Sequence, residues 1–323
     1  MEKKPKRQPD TLKKLKSLLK REKLTLKEVS LKLKVTQVEL KKIIKEQMLQ
    51  GILFKQHKGY YYLDDKPAPK RVISVNETKF GLISDNHLCS KYERLDVLES
   101  MYTYFELEGV KAVFNCGNWI DGEARFNKHE LNTHGMDGQL KYLVDHYPIR
   151  KGIVTYAIAG DDHEGWYTQR EGVDIGQHAE NIFHNNGRGD WVHLGYMEAY
   201  VKINNSLALL MHPGGGTGYA ISYRPQKIVE SFKEAEKPDL LFIGHYHKMS
   251  YNLIRGVHTF QAGCTQDQSS FMRKKSLDSH LGGWIITIKQ KDSGEIYSVE
   301  QQMFDFQTRG AFNGRWNYTS SGR

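Results

Sequence analysis

A chain of 323 residues with 39% hydrophobic content is long enough for one large domain and a small one, each with a core of its own. No apolar run approaches the roughly 18 residues that span a bilayer, and the Lys-rich start lacks the apolar stretch of a signal peptide. Three cysteines without a Cys-x-x-Cys pair argue against a disulfide framework or a structural zinc knuckle, so a reducing cytoplasm is the expected setting, with Cys116 a buried, inert thiol.

The net charge of +9 sits at one end. Residues 1–70 hold 20 of the 47 basic side chains and 8 of the 38 acidic ones, which leaves the remainder slightly acidic. Such asymmetry points to a polyanionic partner. Leu12, Leu15, Leu18 and Leu19 form an apolar helical stripe between lysines. Thr25-Leu26-Lys27-Glu28 is a capping box that opens a short helix through Leu33. Thr36-Gln37-Val38-Glu39 is another, opening a helix to Gln50 that turns Leu40, Ile43, Ile44 and Met48 inward and stops at Gly51. Ile52-Leu53-Phe54 and Tyr60-Tyr61-Tyr62-Leu63 flank His57-Lys58-Gly59 as a hairpin.

This order over residues 10–64 resembles a winged helix-turn-helix. The resemblance implies a DNA-binding unit over residues 1–65, with Gln37, Lys41, Lys42 and Lys45 toward the major groove and Lys58 on the wing. Lysines of this kind position a protein on the phosphate backbone and do not read bases. The prolines of Lys66-Pro67-Ala68-Pro69-Lys70-Arg71 read as a stiff linker, covering residues 66–78.

From residue 79 to the end, strands alternate first with helices and then with other strands. Helices are expected over Arg94–Glu108, the second half of Leu131–Tyr147, Asp174–Asn185 and Pro225–Lys233. The later strands are Trp191–Leu194, Ala199–Ile203, Tyr251–Ile254, His258–Gln261, Trp284–Ile288 and Ile296–Phe304. Five apolar runs end abruptly in His, Asp or Asn. Phe80–Ile83 leads to Asp85 and His87, Lys111–Cys116 to Asn118 and Asp121, and Ile153–Ala159 to Asp162 and His163. Leu207–Met211 leads to His212, and Leu240–Ile243 to His245 and His247. Polar groups at the carboxyl ends of buried strands are where an open α/β sheet binds its ligands. The glycines after Pro213 lack the Lys-Ser/Thr ending of a phosphate-binding P-loop and read as backbone freedom. Trp119 and Tyr246 are expected to wall the site, while His134, His146, His178, His184 and His193 read as surface or core histidines.

In chain order these strand ends resemble the five blocks of the calcineurin-like metallophosphoesterases, from Lys79 to the C-terminus. Asp85-Asn86-His87 stands for Asp-x-His, and Gly117-Asn118-Trp119-Ile120-Asp121 for Gly-Asp-x-x-Asp. Asp161-Asp162-His163-Glu164 stands for Gly-Asn-His-Asp/Glu, His212 for a lone His, and Gly244-His245-Tyr246-His247 for Gly-His-x-His. The resemblance implies a four-layer α/β/β/α sandwich over residues 79–323 and a centre for two divalent metals. Asp85, His87 and His247 would hold one, Asp162, His212 and His245 the other, with Asn118 between them. His163 would protonate the leaving oxygen or stabilise transition-state charge, and Asp121 would orient it from behind. Nitrogen and oxygen donors without thiolate suit manganese first, then iron, zinc or nickel.

Two positions depart from the pattern. Asn118 replaces the bridging Asp, and Asp162 replaces the metal-binding Asn, so a charge lost at one is restored at the other. The reading that follows is a metal-dependent phosphodiesterase, a DNA nuclease tethered by its winged helix, similar most nearly to the double-strand-break repair nucleases of the superfamily. A phage origin suits that reading, and homodimerisation is open. A cyclic-nucleotide phosphodiesterase or a protein phosphatase is the alternative within the enzyme class. Of another class is a DNA-binding regulator with a degenerate metal fold.

Overall fold

Thr25 and Thr36 each begin a helix by the reciprocal bonding that Thr-x-x-Glu predicts. In the computed structural model, which describes residues 8–49, 54–57, 59–63, 79–234, 236–291 and 294–307, the Glu28 amide reaches Thr25 Oγ1 at 3.3 Å while Glu28 Oε2 accepts the Thr25 amide at 2.7 Å. Thr36 and Glu39 make the same pair of bonds, both at 3.2 Å. The chain divides into two compact units, one of Met1–Ala68 with Lys233–Glu236 and the other of the remainder.

The first unit runs α1 (Gln8–Arg21), β1 (Leu24–Thr25), α2 (Leu26–Leu33), α3 (Gln37–Leu49), β2 (Phe54–His57) and β3 (Tyr60–Leu63). The leucine stripe does what its spacing implies: Leu15 and Leu19 are buried with Val29, Leu40, Ile44 and Phe54. The hairpin of β2 and β3 takes β1 as a third antiparallel strand, in the order β1-β3-β2. Gly51, Ile52, Leu53, Lys58 and the Pro-rich linker lie outside the described residues, as do the side chains of Lys45 and Met48.

The larger unit contains β4 (Lys79–Ile83), α4 (Leu95–Leu107), β5 (Ala112–Asn115), α5 (Met136–His146), β6 (Val154–Ala159), α6 (Gly165–Glu171), α7 (Ile175–Asn185) and β7 (Trp191–Tyr196). It continues with β8 (Glu198–Ile203), β9 (Ser206–Met211), α8 (Tyr223–Ser231), β10 (Leu240–Ile243), β11 (Met249–Ile254), β12 (Val257–Ala262), α9 (Ser270–Lys274), β13 (Gly282–Gln290) and β14 (Ile296–Asp305). The fold is mixed α/β. One sheet has the order β14-β13-β4-β5-β6-β7, with β4 to β7 parallel and β13 antiparallel on β4. The other has the order β11-β12-β10-β9-β8, with β12, β10 and β9 parallel.

Continuous apolar runs mark strands buried on both faces, and the core shows why. Phe80, Leu82 and Phe114 of the first sheet meet Leu210, Phe242 and Phe260 of the second in one buried cluster between the sheets. Phe114 and Phe242 stack there with ring centroids 5.7 Å apart. On the outer face of the first sheet, Leu98, Met101 and Phe105 of α4 pack with Leu140 of α5 and Phe183 of α7. Val229 of α8 covers Leu209, Leu241 and Ile243 on the outer face of the second. The result is helix, sheet, sheet, helix. Among the described residues no helix is long and apolar enough to cross a membrane. Cys89, Cys116 and Cys264 are all free and buried.

Candidate metal centre

Because β4, β5 and β6 are adjacent and parallel, as are β9 and β10, their carboxyl ends gather at one edge of each sheet. Each chain leaves its strand by a sharp turn. Asp85, His87, Asn118, His163, His245 and His247 all have φ between 48° and 74°. Left-handed backbone costs a residue with a Cβ on the order of 1 kcal/mol, and such outliers persist where function over-determines them. Here they re-aim consecutive side chains toward a common point. Gly160 makes room among them, since a Cβ there would lie 2.6 Å from Asn118 Oδ1 and 2.9 Å from His212 Cδ2.

Three groups of metal-type donors result among the described residues; one of them, His87 with Asp121 and His163, is tied together by hydrogen bonds, and the other two share no residue. Asp85, His87 and His247 form one and Asp162, His212 and His245 the other, with the donor atoms in each group within 4.8 Å of one another. His87 Nε2 and His247 Nε2 are 3.1 Å apart, and Asp85 Oδ1 is 3.4 Å from the latter. Asp162 spans its two partners, Oδ1 at 3.3 Å from His212 Nε2 and Oδ2 at 3.3 Å from His245 Nδ1.

Three of the four ring nitrogens facing away from these two groups are occupied, and the fourth, His247 Nδ1, is buried without a partner. His87 Nδ1 donates to Asp121 Oδ1 at 2.9 Å, His212 Nδ1 to the Cys116 carbonyl at 2.6 Å, and His245 Nε2 to the Gly215 carbonyl at 2.8 Å. Fixing one nitrogen as the donor fixes the other as a lone pair, which is how a ligating histidine is oriented. Asn118 Oδ1, Asp162 Oδ1, His212 Nε2 and His245 Nδ1 are buried without a hydrogen-bond partner. Buried polar atoms are normally paired, so orphans concentrated at one point fit a divalent cation in their midst.

The carboxylates and His87 lean the same way, whereas burial would lower His212 and His247 but the neighbouring acidic groups raise the first to about 9 and the second well above its ordinary value. Burial opposes ionisation of Asp85 and Asp162, yet neighbouring histidines, His247 for the first and His212 and His245 for the second, hold both carboxylates well below the usual range. Burial and the charge of His163 push His87 down to about 4, so it is a neutral donor at physiological pH. Burial would also lower His163, but its bond to Asp121 wins and raises it to about 9. Its Nδ1 donates to the Asp121 carbonyl at 2.8 Å and lies 3.4 Å from Asp121 Oδ1. The imidazolium is thereby held with Nε2–H as its remaining donor. Asp121 is fastened in turn by the Asn127 amide at 3.1 Å and the Gln266 amide at 3.4 Å.

Sequence reasoning missed some of this. Glu164, counted only as part of a motif, is fully buried, and its Oε1 accepts the amides of Asn118 and Gly160, both at 2.8 Å. Burial pushes its carboxyl up to about 7. Trp166 stacks on His163 with centroids 4.7 Å apart. Trp119 is a correction: it does not wall the site. It is fully buried against Trp191, its indole N–H bonded to the Ile158 carbonyl at 3.1 Å, because the left-handed turn at Asn118 sends the next side chain back into the core. Tyr246 lines a cleft of about 460 Å³ whose walls include none of the six ligand-type residues, and its hydroxyl accepts from Arg224 Nε at 2.9 Å. His134, His146, His178, His184 and His193 join none of the three groups. In the other unit, Gln37, Lys41 and Lys42 are exposed on α3, Lys45 lies on the same helix, and Lys58 is outside the described residues.

Among solved structures the chain is similar to an archaeal phosphodiesterase, at 13% identity over 70% of this chain and 99% of that one, with a TM-score of 0.37. It is also similar to Vps29 of Entamoeba histolytica complexed with zinc, at 13% identity over 71% of this chain and 99% of that one, with a TM-score of 0.35. A Streptococcus pneumoniae protein described as a predicted phosphoesterase gives 14% identity over 72% of this chain and all of the other, with a TM-score of 0.33. No family model matches the chain, and no curated protein does.

Proposed function

We propose that the larger unit is a metal-dependent phosphodiesterase acting on DNA, and that the basic N-terminal unit is a winged helix that keeps it on its substrate. The observation that carries the reading is the pair of His/Asp groups, with the outward ring nitrogens of His87, His212 and His245 already bonded and the inward Asp162 Oδ1, His212 Nε2 and His245 Nδ1 left without partners.

Asp85, His87 and His247 would hold one divalent cation and Asp162, His212 and His245 the other, with the Asn118 carbonyl oxygen beside them. Cations held there supply Lewis acidity, which neutralises phosphoryl charge and acidifies water. The rest is done by the chain. His163 keeps its proton through Asp121, so it donates from Nε2 to the departing oxygen. Trp166 fixes the plane of that ring. Asp162 carries the negative charge that Asn118 lacks. The exposed Lys41 and Lys42 neutralise backbone phosphate, a contribution independent of sequence.

The test is manganese-dependent cleavage of labelled linear, circular and single-stranded DNA, with His163→Ala as control. Cleavage that falls by about 100-fold or more in the variant supports a nuclease with His163 as its acid. Manganese bound without cleavage of any DNA would move the reading to a small phosphodiester. Separately, Lys41→Ala and Lys42→Ala should each lower the salt dependence of DNA binding by about one ion released.

A further inference from the structure

Phe126 is 69% exposed although its loop is firmly held. The neighbouring Asn127 is buried, its Oδ1 accepting the Ala124 amide at 2.8 Å while its Nδ2 donates to Asp121. Glu123 Oε2 accepts the Gly135 amide at 2.8 Å, and Arg170 donates to the Glu123 carbonyl. The exposed ring is therefore presented by a fixed loop. It meets Trp166 edge-on, with centroids 5.4 Å apart at 78°. Trp166 stacks on His163 at 4.7 Å, and His163 meets His87 edge-on at 4.3 Å. An unbroken run of rings thus leads from the metal ligands out to solvent, on the side of the proton donor. Arg125 and Arg170 place two exposed guanidinium groups on the elements that carry Phe126 and Trp166.

We propose that Phe126 and Trp166 form a stacking step for the nucleobase on the leaving-group side of the scissile phosphate, with Arg125 and Arg170 beside the next phosphate. This rests on the phosphodiesterase reading, because His163 marks which side the leaving group takes. A base has an apolar face and its backbone is anionic, and the step offers an aromatic face among cations. Stacking is indifferent to sequence, so the step selects base-bearing phosphodiesters over others without choosing among bases.

The experiment compares the dinucleotide TpT with its two abasic analogues, one lacking the base on each side of the phosphate, using manganese as the metal. Removing the base on one side should raise KM about 5- to 150-fold, and removing the other should not. In Phe126→Ala that asymmetry should collapse, and Phe126→Tyr should restore it. Equal KM values for both analogues in the unaltered protein would overturn the step, as would an asymmetry that survives in Phe126→Ala. If neither TpT nor bis-p-nitrophenyl phosphate is hydrolysed, the phosphodiesterase reading fails instead. Thymidine monophosphate then tests the step alone: it should quench tryptophan fluorescence in the unaltered protein and not in Phe126→Ala, and no quenching overturns it.

Discussion

The backbone amide of His245 donates to both carboxylate oxygens of Asp85, at 3.1 and 2.9 Å. Asp85 therefore serves both donor groups. It lies 3.4 Å from His247 in the first, and it holds the turn that carries His245 in the second. Its removal should empty both, whereas His87→Ala should empty the first alone. Bound manganese per chain, measured after dialysis, should fall close to zero in Asp85→Ala and to about half in His87→Ala. Equal losses in the two variants would show that the groups are not coupled through this carboxylate.

Asn118 Oδ1 and Asp162 Oδ1 both approach the position of a Cβ on Gly160, at 2.6 and 3.2 Å, so the amide and the carboxylate share one corner of the site. Asp162→Asn alone leaves that corner without charge and should weaken manganese binding about 10- to 100-fold. Asn118→Asp alone sets two carboxylates side by side, and one of them is driven toward its protonated form. The double variant restores a single charge and should bind manganese better than either single one. A metal titration in which the double variant is the weakest would sink the compensation between these positions.

Much of the site could be read from sequence because its grammar is local. An apolar run that stops at Asp-x-His or His-x-His marks a buried strand feeding a polar turn, and β4 and β10 do this. In the first unit α2 and α3 were legible from their caps and α1 from its leucine stripe. What was not legible depended on conformation. Left-handed backbone is uncommon outside Gly, and the enrichment of Asn, Asp and His in it does not say which of them adopts it, as Asp85, His87, His163, His245 and His247 do. Trp119 follows such a turn, so a residue inside the motif ended in the core. Glu164 stood in the sequence only as the last residue of a motif, and it accepts two backbone amides. The short helices α6 and α9, of 7 and 5 residues, offer too few turns for a period to show.

Gly160 and Gly152 separate crowding from backbone strain. A Cβ on Gly160 meets Asn118 Oδ1, His212 and Asp162, while one on Gly152 has nothing within 4 Å but a φ of +80°. Gly160→Ala should lower manganese content sharply with little change in the melting temperature of the metal-free protein. Gly152→Ala should leave manganese content alone and cost about 1 kcal/mol of stability, or roughly 2–4 °C. Calorimetry and metal analysis on both variants check this. Undiminished manganese in Gly160→Ala would mean that the ligand loops tolerate displacement.

Glu123 ties down the loop that presents Phe126 and Asn127. The Lys128 ammonium at 2.9 Å and the Gly135 amide at 2.8 Å push its carboxyl down to about 2 from an ordinary 4.5. A depressed carboxylate contributes stability that is complete above its unfolded value and is lost as pH falls through its folded one. Apart from the share of His134, whose Nδ1 lies 3.4 Å from Glu123 Oε2, the stability difference between the unaltered protein and Glu123→Gln should therefore hold above about pH 5 and close progressively between about pH 4.5 and 2. Lys128 is 61% exposed, so solvent screens its share, and the difference at neutral pH should be about 1 kcal/mol. Molar salt should remove the Lys128 share and spare the bond from the Gly135 amide, leaving a smaller difference with the same pH profile. Denaturant melts of the two proteins from pH 2 to 7 measure it. A difference that persists unchanged at pH 2 would mean that the carboxylate charge does not hold this loop.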